Sequence, residues 1–120
     1  MRFSHVTISV NNLDDSLDFY QGIIGLPIKR RFSAGDSEII FLGNNDTDIE
    51  LIYNRSQPDI SFGKSISLGF AVPSLKDVLT LLREKKIEAG EIIQPTPQVM
   101  FFFTTDPNGV RIQFVEYIGE

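Results

Sequence analysis

One imidazole and a few carboxylates are the groups through which this chain could do chemistry. His5 is its only histidine, and cysteine is absent. Thiolate nucleophiles, disulfides, iron–sulfur clusters and cysteine-type zinc sites are therefore excluded, and any bound metal would draw on oxygen donors plus at most the single imidazole of His5. Glu50 stands in a second alternating segment. An imidazole with a carboxylate is the beginning of a divalent-metal site or of an acid–base pair. On spacing alone the plainer reading of the two residues is a sheet face left in water, where a lone histidine is ordinarily a surface or hydrogen-bonded residue.

The remaining composition narrows the partners. Eleven Lys and Arg against sixteen Asp and Glu give a formal charge of −5, with no basic stripe. A nucleic-acid or anionic-membrane surface is not expected, because either needs clustered cations to displace counterions. The trio Lys29-Arg30-Arg31 is too short to change that. Residues 1–5 run straight into an alternating pattern without the apolar core of a signal peptide. No apolar stretch reaches the roughly 18 to 20 residues that cross a bilayer, and a cysteine-free chain suits the cytoplasm. The expectation is one cytoplasmic domain over residues 1–120, able to bury about two-thirds of its unfolded surface without staples.

The elements that must position His5 and Glu50 follow from periodicity. Residues 3–10 alternate, with Val6, Ile8 and Val10 on one side and His5, Thr7 and Ser9 on the other, the mark of a half-buried strand. Asn12 then reads as an N-cap, opening an amphipathic helix of about three turns through Leu13, Leu17, Tyr20 and Ile24 that stops near Gly25 and Pro27. Strands follow at about 28–34, 37–43 and 47–53, the last two joined by the turn residues Gly43-Asn44-Asn45-Asp46. A polar stretch around 54–63 marks a linker. Beyond it the order repeats: an alternating strand through Ile66, Leu68, Phe70 and Val72, a helix opened by Ser74, a Gly/Pro-broken stretch, and the strands 99–104 and 110–117 joined by Asp106-Pro107-Asn108-Gly109.

The repetition holds residue by residue. An offset of 62 places Val10 on Val72, Asn12 on Ser74, Leu13 on Leu75 and Leu17 on Leu79; an offset of 63 places Ile49-Glu50-Leu51 on Ile112-Gln113-Phe114. The fold class is α+β, built from two βαβββ modules, residues 1–56 and 64–120. The helices need the apolar sheet faces to pack on. His5, Thr7, Ser9 and Glu50 in the first module, and Ser67, Gly69, Arg111 and Gln113 in the second, are left on the other face.

Ser4-His5-Val6-Thr7-Ile8-Ser9-Val10, Leu17-Asp18-Phe19-Tyr20-Gln21 with Gly25-Leu26, Ile49-Glu50-Leu51, and Asp106-Pro107-Asn108-Gly109-Val110-Arg111-Ile112 together resemble the vicinal-oxygen-chelate superfamily of glyoxalase I, bleomycin-resistance proteins, fosfomycin-resistance enzymes and extradiol dioxygenases. The resemblance covers nearly the whole chain. It implies that the modules pair into a cup-shaped mixed sheet, that a small single-chain member forms a homodimer, and that metal-dependent members place one ligand on the first and last strand of each module. Those places are His5, Glu50, Ser67 and Gln113. His5 and Glu50, with Asn54 just beyond, match a glyoxalase I. Ser67 and Gln113 stand where an ionised carboxylate or an imidazole is expected, and a neutral hydroxyl and amide are weak ligands for nickel, zinc or iron. Isomerising a hemithioacetal needs a base to move a proton between adjacent carbons. Gln113 has no basic form near neutral pH, which leaves Glu50 for the role. The glyoxalase-like arginine of the first strand is here Ser9, and an extradiol triad would need a second histidine.

The function expected is binding of a small molecule in the sheet cup beside a degenerate metal site. The alternative is a metal-dependent lyase or isomerase of the lactoylglutathione lyase type, with His5 and Glu50 as ligands to nickel, zinc or iron and Glu50 as base. Thr7, Ser67, Arg111 and Gln113 are expected to line the binding face. Phe101, Phe102 and Phe103 must alternate on a strand, and Phe101 and Phe103 are the better candidates for the cup wall. Arg111 suits either an anionic substrate group or a cross-strand ion pair. Arg30 and Arg31 read as a solvated strand edge rather than a rim for anions. Glu116 falls on the face opposite Gln113.

Overall fold

Two βαβββ units, each closed around its own apolar layer, make up the fold. The computed structural model describes residues 1–57, 60–63 and 65–119. The chain divides into compact units over Met1–Ser61 and Phe62–Glu120. The first holds β1 (His5–Ser9), α1 (Leu13–Leu17), a π-helical turn (Asp18–Ile23), β2 (Ile28–Ala34), β3 (Ser37–Leu42) and β4 (Asp48–Asn54). The second holds β5 (Ser67–Ala71), α2 (Leu75–Glu84), β6 (Ile93–Thr96), β7 (Val99–Thr105) and β8 (Arg111–Tyr117). Pro58 and Asp59 of the expected linker, and Lys64 and Glu120 at the ends of the expected second module, lie outside the described residues.

The sheets have the same topology, β1-β4-β3-β2 and β5-β8-β7-β6, with the first pair parallel and the others antiparallel. In the parallel pairs His5 lies opposite Asp48 and Thr7 opposite Glu50, while Ser67 lies opposite Arg111 and Gly69 opposite Gln113. The offsets of 62 and 63 read from the sequence are therefore the offsets of the strand register itself.

Each helix begins at the cap the sequence supplies. Asn12 Oδ1 accepts from the Asp15 amide at 3.0 Å, and Ser74 Oγ from the Asp77 amide at 3.2 Å, satisfying N–H groups the first turn leaves without partners. The apolar strand faces then meet the helices. Ile8, Val10, Ile40, Leu42, Ile49 and Leu51 are buried in the first unit with Phe19 and Tyr20; Phe102, Ile112 and Phe114 are buried in the second with Leu75 and Leu82.

The first helix departs from the expected three α-turns. After Leu17 it widens into the π-helical turn, which buries the adjacent Phe19 and Tyr20, their rings edge to face at 5.2 Å. Ser16 is buried as well, while Leu13, Leu17 and Ile24 are only half-buried. A 3.6-residue period cannot point two neighbouring aromatics at one sheet as well as a wider turn can. Gly25, at φ +88, ends the turn, and the Leu26 amide donates to Tyr20 O at 3.0 Å. Among the described residues no helix is long and apolar enough to cross a membrane.

Candidate functional site

In the first unit the site grows from the β1–β4 register. Alternation turns His5, Thr7 and Glu50 away from the buried Ile8, Ile49 and Leu51. Thr7, paired with Glu50, donates its hydroxyl to Glu50 Oε1 at 2.6 Å, and His5 Nε2 lies 3.6 Å from the same oxygen. The other ring nitrogen, Nδ1, is 2.9 Å from Ser4 Oγ. The ring stands edge to face on Phe41 at 5.5 Å, and Phe41 lies opposite Glu50 in the β3–β4 register. The Glu50 side chain is 13% exposed and that of His5 39%, so a ligand would meet the imidazole first. Asp48, also on this face, is engaged by Lys29 Nζ at 3.1 Å. Gly43 leaves room for that carboxylate, which a Cβ there would strike.

In the second unit the positions equivalent to Thr7 and Glu50 are Gly69 and Gln113. A Cβ on Gly69 would stand 3.2 Å from Gln113 Oε1, so the glycine gives the amide its space. Phe103 lies opposite Gln113, and Phe101 meets it edge to face at 5.7 Å. Arg111 forms no ion pair among the described residues; its Cζ stacks 3.8 Å from the centre of the Phe103 ring. Ser67 is exposed on the edge strand β5. Phe102 is fully buried against Phe114 on the helix side, as alternation requires.

The structure thus gathers His5, Thr7 and Glu50 in one unit, and Arg111, Gln113, Phe101 and Phe103 in the other. Asn54, in contrast, is engaged in local structure: its amide donates to Ser37 Oγ and its carbonyl accepts from the Ser56 amide. Glu116 Oε1 accepts from the Leu75 amide at 2.8 Å, on the helix side. Asp106 accepts from the amides of Asn108 and Val110, both at 2.8 Å, so Asp106-Pro107-Asn108-Gly109 is turn chemistry. A cleft of about 430 Å³ between Asn12 and the β2–β3 turn shares no residue with either set. Of its charged groups, Asp36 pairs with Arg55 and Glu38 with Arg31.

Two residues beside His5 escape a reading of the sequence: Ser4, which meets Nδ1, and Phe41, which backs the ring. Ser4 adjoins His5 in the chain, but Phe41 is signalled only through the β3–β4 register. Arg30 and Arg31 are exposed on the edge strand β2, as expected; from there Arg30 lies 4.3 Å over the Phe41 ring and Arg31 pairs with Glu38 at 3.2 Å.

A family model for the Glyoxalase/Bleomycin resistance protein/Dioxygenase superfamily matches residues 2–114, and the chain belongs to that superfamily. It is 27% identical to the lactoylglutathione lyase of Neisseria meningitidis over 97% of this chain and 91% of that protein. A glyoxalase family protein from Bacillus cereus shares the fold at a TM-score of 0.86 and 21% identity, over 99% of this chain and 95% of that one. TnmS3, an antibiotic-binding protein from Streptomyces, shares it at 0.69 and 20% identity, over 98% of each chain.

The resemblance implies, for a metal-dependent member, a ligand pair in each module. The first unit has such a pair in His5 and Glu50. The second offers only the Ser67 hydroxyl and the Gln113 amide, and the described residues contain no group of three or more His, Cys, Asp or Glu able to hold a metal. Neither unit's donors, taken by themselves, fit a resident nickel, zinc or iron ion, which wants imidazole or ionised oxygen at most of its positions.

Proposed function

We propose that the chain, as a cytoplasmic homodimer and without a resident metal, binds small organic molecules on the polar sheet faces of its units: His5, Thr7 and Glu50 on that of the first, and Ser67, Phe101, Phe103, Arg111 and Gln113 on that of the second. One observation carries this reading. At positions equivalent in strand register, a pair able to ligate metal in the first unit is answered by a glycine-accommodated amide in the second. In the first unit, Glu50 Oε1 is occupied by the Thr7 hydroxyl. What remains are hydrogen-bonding groups beside aromatic rings, the usual furniture of a small-molecule site. The same fold serves an antibiotic-binding protein of Streptomyces.

A second reading is favoured by the lactoylglutathione lyase relatives and by the 3.6 Å approach of His5 to Glu50. In it His5 and Glu50 ligate a divalent metal, and Glu50 acts as the base of a lyase or isomerase. Elemental analysis and metal titration of the purified protein and of His5→Ala separate the two. The binding reading predicts nickel, zinc and iron well below one equivalent and unchanged by the substitution. Stoichiometric metal that is lost in His5→Ala would establish the lyase reading instead.

A further inference from the structure

Three cations stand in a row on β2, and the structure treats the middle one differently. Lys29 pairs with Asp48 at 3.1 Å and Arg31 with Glu38 at 3.2 Å. Arg30 has no carboxylate partner among the described residues; its guanidinium lies 4.3 Å from the centre of the Phe41 ring and 5.8 Å from that of Phe32. Arg30 is opposite Phe41 in the β2–β3 register, and the Phe32 and Phe41 rings stack at an interplanar angle of 14°. The ring under Arg30 is the ring against which His5 stands, so the guanidinium is one aromatic side chain away from the His5–Glu50 pair.

This arrangement has a chemical meaning. A guanidinium stacked on an aromatic face keeps its N–H donors in plane and available, and the ring restricts the rotamers that ligand binding would otherwise have to freeze. The donors form a planar fork that matches a carboxylate. Charge selects between anions: Lys29 offsets Asp48, but Glu50 on the same face has no Lys or Arg partner among the described residues, and its repulsion on a phosphate dianion would be about twice that on a monocarboxylate.

We infer that Arg30 is the anion anchor of the first unit's site and that the ligand is a small molecule bearing one carboxylate. The carboxylate docks on the Arg30 fork, and the body of the molecule extends over Phe32 and Phe41 toward His5 and Glu50. This rests on the proposed small-molecule binding and adds the ligand class to it.

The test is an NMR titration of the whole protein with phenylacetate, phenylacetamide and phenyl phosphate, reading the Arg Nε–Hε signals and the amides of Thr7 and Glu50. The expected result is a saturable shift of the Arg30 signal by phenylacetate, with Thr7 and Glu50 following and Arg31 and Arg55 unmoved. Phenylacetamide should bind at least about tenfold more weakly, the loss of one charge-assisted hydrogen bond, and phenyl phosphate more weakly than phenylacetate because Glu50 repels its second charge. Arg30→Gln should abolish the preference for the acid, and Arg30→Lys should retain part of it. Equal shifts by acid and amide at Thr7 and Glu50 would overturn the carboxylate class while leaving small-molecule binding intact. Acid-selective shifts at Arg30 that leave Thr7 and Glu50 still would overturn the proposed site while keeping the anchor. No saturable shift at Arg30, or an acid preference that survives Arg30→Gln, would overturn the inference.

Discussion

Glu50 Oε1 is the atom on which the first unit's site turns, because both the Thr7 hydroxyl and the His5 ring converge on it. A hydrogen bond to a charged group contributes more than a neutral one, but partial exposure discounts it. Thr7→Val keeps the β-branched shape while removing the donor, and should destabilise the fold by about 1 kcal/mol. Urea denaturation should show this as a lower midpoint with an unchanged slope. At the same scale, the His5 and Thr7 face is legible from alternation in residues 3–10, and Phe101 and Phe103 separate from Phe102 by the same rule. Arg30 is not legible that way. Its exposure on an edge is legible, but the ring beneath it depends on which β3 residue lies opposite, and Phe41 takes that place only through a register that shifts between Ile28 and Arg30.

At the scale of elements, the duplication predicts that equivalent caps do equivalent work. Asn12→Ala and Ser74→Ala each remove one side-chain acceptor from a helix N-terminus, and each should cost about 1 kcal/mol. Thermal unfolding of the two variants checks this, with similar losses expected although α1 has five residues and α2 ten. The strand–helix–strand–strand–strand order is legible in the first half from caps, turns and alternation, and in the second half for every element but one. The π-helical turn is not, because Leu13, Leu17, Tyr20 and Ile24 satisfy an α-helical period and nothing in their spacing shows that Phe19 must also be buried. The edge strand β6 is similarly obscured by Pro95, which an edge tolerates but a central strand would not.

For the whole molecule, the family places this 13.5 kDa chain among proteins of a single fold and diverse chemistry, so function has to be argued from the site. The proposed homodimer predicts a sedimentation-equilibrium mass about twice that of the chain at micromolar concentration; the chain mass alone would count against it. Binding of a small molecule without metal is what separates the two readings of this site. The most direct measurement is the ligand-induced change in melting temperature, recorded in the presence of EDTA over a screen of small carboxylates, thiol adducts and antibiotics, with Arg111→Leu and Thr7→Val alongside. Binding to the folded state alone raises the melting temperature. At least one ligand should stabilise the native protein in chelator and stabilise less the variant of the face that it occupies. Stabilisation that appears only when nickel, zinc or iron is restored would contradict metal-free binding.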